Sequence, residues 1–242
     1  MHVTLRGSGA FYTKIGSTVL PQQACREGSM SHYPDADYLT GAYQPKQFYA
    51  DEGAEVAFAG RSNAGKSSAI NVIVNRNNFA RVSKSPGRTQ LINFFVLRKA
   101  GAGNDAAGQQ RIVDLPGYGF AKVTQSMQQH WRELMTAYFE QRKSLVGLFV
   151  IVDIRRGIGD YDRQMLQWAD ALNCPAHVLL TKADKLKRGA AKAALFKVSK
   201  EINNEFSSAS SVQLFSALKR DGADEARVVL DKMLQGDASA PE

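Results

Sequence analysis

The run Gly60-Arg61-Ser62-Asn63-Ala64-Gly65-Lys66-Ser67 constrains this chain more than any other stretch. Glu55 to Ala59 before it reads as a short buried strand. Ser68 to Asn75 after it has the apolar spacing of a helix packed on a sheet. Strand, glycine-rich turn and helix together make a phosphate-binding loop, because the loop and helix N–H groups converge on one concavity. Gly60 and Gly65 permit backbone approaches that a side chain would block. Lys66 can reach β- and γ-phosphates, and the Ser67 hydroxyl can ligate Mg²⁺.

Downstream, the hydrophobic pattern alternates strands with helices. Strands are expected at Leu91–Leu97, Arg111–Asp114, Leu145–Asp153, Ala176–Leu180 and Val212–Phe215. Helices are expected at about Gln125–Arg142, Tyr161–Leu172, Arg188–Phe206 and Ala223–Leu234. The link Gly101–Gln110 is short, so the strands on either side of it form an antiparallel hairpin. The expectation is an α/β fold in three layers: a mostly parallel six-stranded sheet with one antiparallel strand and helices on both faces. Residues 31–54, with Tyr33, Tyr38, Tyr43, Phe48 and Tyr49, are expected to form a short helix and turn on the domain edge.

In such sheets ligands sit at the carboxyl ends of the strands, where Asp114, Asp153, Thr181 and Ser216 fall. A carboxylate at Asp184 would accept hydrogen bonds from N1–H and the exocyclic amine of guanine. Adenine offers neither, so Thr181-Lys182-Ala183-Asp184 favours GTP over ATP. Lys182's aliphatic stem can lie over the base, and Ser216-Ala217-Leu218 supplies a backbone N–H for guanine O6. Taken alone, the Thr-Lys-Ala-Asp run reads equally well as a helix start. Asp114 can hold Mg²⁺ through water, and Gly117 can place its N–H on the γ-phosphate. Thr89, in the polar Pro-Gly loop 79–90, would complete Mg²⁺ coordination only when a γ-phosphate is present, which is the behaviour of a switch.

The chain has 242 residues and a net charge of +8, with pI ≈ 9.5. That excess fits a polyanionic partner. It holds one full α/β domain, and no apolar run reaches the length of a membrane span. Cys25 and Cys174 match no metal or redox spacing and read as reduced thiols. Residues 1–30 show no periodicity, signal core or transit-peptide pattern and are expected to be a disordered extension, with Met30 an alternative start. Residues 31–235 make the nucleotide domain and 236–242 a frayed tail.

The phosphate loop through Ser68, together with Pro86-Gly87-Arg88-Thr89-Gln90, Asp114-Leu115-Pro116-Gly117-Tyr118-Gly119, Asp153-Ile154-Arg155-Arg156-Gly157 and Thr181-Lys182-Ala183-Asp184, resembles the EngB (YihA, YsxC) family over about residues 50–235. These are bacterial GTPases of the translation-factor-related class. The resemblance implies a P-loop GTPase fold and a cytoplasmic, monomeric GTP switch. Its partner would be the large ribosomal subunit precursor, its RNA and proteins. The nucleotide contacts implied run through Gly60–Ser68, Gly87, Arg88, Thr89, Asp114, Leu115, Pro116, Gly117, Thr181, Lys182, Ala183, Asp184, Phe215, Ser216 and Ala217. Ser67, Thr89 and Asp114 would hold Mg²⁺; Lys66, Thr89 and Gly117 carry the catalytic roles. A protein or septation target, and a nucleotide sensor with negligible hydrolysis, remain alternatives. Many GTPases carry glutamine after Asp-x-x-Gly; Tyr118 stands here, which implies slow turnover aided by a partner or by K⁺. Asn63 is either a K⁺ ligand or a brace for the loop. Arg155, Arg156 and the lysines between 182 and 200 are either RNA-facing charges or a solvated face.

Overall fold

The computed structural model describes residues 33, 36–80, 91–98, 109–119, 124–206 and 210–236. Strands β1 (Asp37–Ala42), β2 (Ala54–Gly60), β3 (Ile92–Leu97), β4 (Gln110–Asp114), β5 (Leu145–Asp153), β6 (Ala176–Thr181) and β7 (Ser210–Leu214) form one sheet. Their order is β1-β3-β4-β2-β5-β6-β7. β3 runs against both its neighbours, β1 and β4; the remaining pairings are parallel. Helices α1 (Lys66–Val74), α2 (Gln125–Gln141), α3 (Asp160–Ala171), α4 (Arg188–Glu205) and α5 (Ala223–Gln235) complete it.

Strand periodicity sorts the core onto two faces. On β5, Leu148, Val150 and Val152 meet α2, α3 and α4 through Tyr138, Met165 and Ile202. Phe149 and Ile151 point the other way, onto α1 and α5 through Ile70, Ile73 and Leu230. β5 is buried on both faces and is apolar nearly throughout, as a central parallel strand must be.

The sheet has seven strands rather than six. Residues 37–42, expected as helix and turn, pair in extended form with the free edge of β3, with a bulge between Tyr38 and Thr40. An exposed β3 edge would offer unpaired N–H and C=O groups, and β1 satisfies them. Only a single 3₁₀ turn, Pro45–Gln47, follows. Tyr33, Phe48 and Tyr49 pack on the core, while Tyr38 and Tyr43 stay exposed.

At the amino ends of the strands, Glu55 is fully buried between two arginines. Arg111 Nε donates to Oε1 at 2.9 Å and Arg142 Nε to Oε2 at 3.1 Å. The same guanidiniums reach the carbonyls of Tyr49, Ala50 and Glu52, tying the approach to β2 against the base of the sheet. Breaking such a buried pair costs about 3–5 kcal/mol, because the surviving charge is stranded. β2 is thereby fixed at one end and runs at the other straight into the phosphate loop.

Candidate nucleotide-binding site

β2 is the strand at which the chain reverses: β3 and β4 lie to one side, β5 to β7 to the other. This is the crevice where open α/β sheets hold ligands. α1 begins at Lys66, with Gly65 as its N-cap at φ 103° and ψ 19°. Ala69 is the first residue whose N–H bonds back into the helix, to Gly65. The N–H groups of Lys66, Ser67 and Ser68 are therefore directed out of the helix end. No acidic residue in the first turn competes with a phosphate for that positive end. Within the loop, Ser62 N–H goes to Tyr118 O at 2.9 Å and Ala64 N–H to Arg61 O at 2.9 Å, so these two shape the cradle rather than line it. Gly60 is pressed on β5: a Cβ there would lie 2.8 Å from the Ile151 carbonyl oxygen.

The edge that the sequence assigns to guanine, Thr181–Asp184 with Ser216 and Ala217, lies beside the loop. The Ser216 hydroxyl donates to Asp184 Oδ1 at 2.7 Å, and that bond holds the Asp184 carboxyl below its ordinary range. The carboxylate is thus oriented and ionised before a base arrives. Ala183 N–H bonds to Phe215 O (3.1 Å) and Phe215 N–H to Leu180 O (2.9 Å), joining the two strand ends that would bracket guanine. Ser216 N–H is taken by Asp221 O at 3.0 Å and so is not free for the O6 contact expected of this segment.

Two side chains stitch this edge to the phosphate loop. Thr181 Oγ1 lies 2.5 Å from Ala64 O and 3.1 Å from Val152 O. Lys182 takes a left-handed conformation, φ 57°, and its Nζ donates to Asn63 O at 2.6 Å while meeting Asp153 Oδ2 at 3.0 Å. That path lays the lysine stem across the place a base would occupy. On the loop's other flank, Lys66 Nζ is ion-paired with the Asp114 carboxylate, itself paired in register with Phe58 at the end of β2. Asp114 is therefore brought to the first turn of α1, where Ser67 sits. A hydroxyl and a carboxylate are hard oxygen donors and suit Mg²⁺. Among the described residues no cluster of three or more His, Cys, Asp or Glu side chains offers another metal site.

The family model described as "50S ribosome-binding GTPase" matches residues 55–182, from the second residue of β2 to Lys182. The probable GTP-binding protein EngB of Stenotrophomonas maltophilia is 50% identical over 81% of this chain and 93% of its own. The chain belongs to the EngB family. The probable GTP-binding protein EngB of Nitrosococcus oceani is 48% identical over 84% of this chain and 97% of its own. A crystal structure of a probable GTP-binding protein EngB superposes with a TM-score of 0.55 at 22% identity, over 76% of this chain and all of that one, a likeness of fold. The P-loop GTPase fold expected from the sequence is the fold observed, and the chain carries a GTPase domain.

The residue after Asp-x-x-Gly in this EngB-family chain is removed from any role with water. Tyr118 is 3% exposed, donates its hydroxyl to Asp162 Oδ1 at 2.6 Å, and packs its ring against Trp131 and Tyr161. Burial and the Asp162 charge raise the phenol well above its ordinary pKa. Asp162 also accepts from Gly159 N–H at 2.9 Å, capping α3. Leu115 likewise enters the core, and the Pro116 carbonyl accepts from Trp131 Nε1 at 3.2 Å, so both bear on the site through backbone alone. Gly117 passes close to the loop: a Cβ there would stand 3.5 Å from Ser62 N. Gly87, Arg88 and Thr89 lie outside the described residues.

Arg155 is not a free surface cation. It grips Asp153 with two hydrogen bonds, 2.9 and 2.6 Å, and with Lys182 holds that carboxyl well below the usual range. A cavity of about 200 Å³, lined by Arg61, Asn63, Asp153 and Lys182 among others, separates this pair from the loop. His177, which fits no catalytic arrangement, is buried in β6. Its Nε2–H donates to Gln213 Oε1 at 2.9 Å and its Nδ1 accepts from Ser211 at 2.6 Å. Gln213 in turn donates to Gly222 O at 2.8 Å, closing the turn that follows Ser216 and Ala217. Cys174 is buried, and burial pushes its thiol up to about 12, which leaves it unreactive.

The hydroxyls of Thr181 and Ser216 are the contributions that the motifs alone did not assign. Their signal was a hydroxyl residue at the carboxyl end of a strand, immediately before or inside a base-reading run.

Proposed function

We propose that this chain is a GTP-operated switch in assembly of the large ribosomal subunit, acting in the cytoplasm. The observation that supports it most is the joining of a guanine-reading carboxylate to a phosphate loop by Thr181 and Lys182, in a chain whose family model describes a 50S ribosome-binding GTPase. In this reading the N–H groups of 66–68 and Lys66 bind the β- and γ-phosphates. Asp184, held by Ser216, selects guanine, and the stem of Lys182 covers the base. Ser67 and Asp114, with Thr89, would hold Mg²⁺, which supplies positive charge against the phosphates. Gly117 N–H would sense the γ-phosphate, and Thr89 would report its presence.

With Tyr118 confined to the core, the chain's own machinery has no side chain at that position to orient the attacking water. Turnover is therefore slow alone and is raised by a partner or by K⁺ at Asn63. Equal GTP turnover in saturating K⁺ and Na⁺ would eliminate the K⁺ route. The test of the reading itself is co-sedimentation with purified large subunits in GDP, a non-hydrolysable GTP analogue and no nucleotide, at two salt concentrations. Binding with the GTP analogue that weakens with salt is expected. Tight guanine-nucleotide binding without subunit association in any state would overturn it.

A further inference from the structure

Between residues 185 and 200 the chain carries six basic side chains and no acidic one. Most of that stretch is α4, which buries Ala191, Val198 and Ile202 against the sheet. On the side away from that stripe stands Phe196, 74% exposed, with Lys192 and Lys200 one turn to either side and both exposed. The helix's two acidic residues, Glu201 and Glu205, pair with Arg163 of α3, and Glu201 also meets Lys197 at 3.9 Å, outside the row of Lys192, Phe196 and Lys200. Single exposed apolar residues are common and need no explanation. Phe196 differs in being a whole phenyl ring placed between two exposed lysines, Lys192 and Lys200, neither of which pairs with a carboxylate among the described residues.

We propose that this face of α4 binds a single-stranded RNA segment, with a base stacked on Phe196 and phosphates on Lys192 and Lys200. An aromatic ring accepts any base face, while flanking lysines track the backbone, the combination that single-strand binders use. Two residues separate the short turn Ala183–Lys185, which contains Asp184, from the start of α4 at Arg188, so the helix is anchored to the edge proposed to read guanine. The inference rests on the ribosome-assembly reading for the source of that RNA, and extends it by naming the surface that meets it.

The test uses the full chain loaded with a non-hydrolysable GTP analogue and a short, unstructured, uridine-rich RNA oligonucleotide, followed by fluorescence anisotropy over a range of KCl. Phe196→Ala and Phe196→Leu should each weaken binding roughly 5- to 100-fold, while Phe196→Trp retains it. The salt slope should be unchanged by Phe196→Ala and should fall by about 1.4 in Lys192→Gln/Lys200→Gln. GDP affinity, unchanged in all four, shows that each variant is folded. Affinity equal to wild type in both Phe196→Ala and Phe196→Leu overturns the inference, as does a dimer in sedimentation equilibrium that Phe196→Ala dissolves. Co-sedimentation with large subunits separates the two readings. Wild-type subunit binding that Phe196→Ala leaves intact refutes the surface and spares the function. Loss of oligonucleotide binding in Phe196→Ala, with no wild-type subunit binding, does the reverse.

Discussion

His177 should make the stability of this domain fall in mildly acidic solution. Its ring is buried and neutral, between Ser211 and Gln213, and burial depresses it from 6.5 to about 4 against a smaller opposing effect of the Gln213 hydrogen bond. For a base depressed in the folded state, the unfolded chain takes up the proton first. The contribution is complete above the unfolded value, near 6.5, and is lost as pH falls towards 4. Fully developed, that difference amounts to about 3.4 kcal/mol, of which about 2 kcal/mol has gone by pH 5. The assay is urea unfolding of the nucleotide-free chain at pH 7.5 and pH 5, for wild type and His177→Gln. Other groups titrate equally in both, so the wild type should lose about 2 kcal/mol more than the variant over this interval. Parallel losses would show that His177 carries no such penalty and that the buried, neutral assignment is wrong.

Three further outcomes follow from the site. Asp184→Asn should lower GDP affinity at least about 10²-fold, since a charged acceptor of two donors is lost, and should raise xanthosine diphosphate affinity because an amide can donate to its 2-oxo group; calorimetric titration of both nucleotides reads this. Thr181→Val leaves the Ala64 and Val152 carbonyls without their hydroxyl donor. It should cost about 1–3 kcal/mol of stability in urea unfolding and weaken GDP binding as well. Gly65→Ala meets nothing closer than 3.7 Å, so its penalty is conformational, from φ 103°. About 1–2 kcal/mol of stability should be lost, with nucleotide binding impaired, measured by thermal unfolding with and without GDP.

The parts of this protein that its sequence exposes are those in which a few adjacent residues settle the geometry. Gly60 to Ser68 announces itself because a strand, two glycines and a helix start must occur together for phosphate to fit. Helix limits were close for the same reason: α4 runs from Arg188 to Glu205 against an expected end at Phe206, where the apolar stripe stops. β1 was hidden because its pairing with β3 joins residues fifty or more positions apart, and only one of its six residues is fully buried. Tyr118 directly follows Asp114-Leu115-Pro116-Gly117, which the sequence places at the expected nucleotide site. Only the aromatic neighbours Trp131 and Tyr161, brought in by α2 and α3, explain why it turns inward. The pairing of Glu55 with Arg111 and Arg142 was equally out of reach, since neither arginine is near it in the chain.

The two stitches from β6, Thr181 to Ala64 and Lys182 to Asn63, also bear on speed. A phosphate loop left slack would lose its conformational freedom at the moment of capture, and affinity would be reduced by that ordering. Here the restriction is met when the chain folds, by contacts made with Thr181 and Lys182 at the end of β6. Nucleotide arrives at a receptor already in shape. Association should then be governed by diffusion and orientation, leaving the lifetime of the complex to distinguish one guanine nucleotide from another.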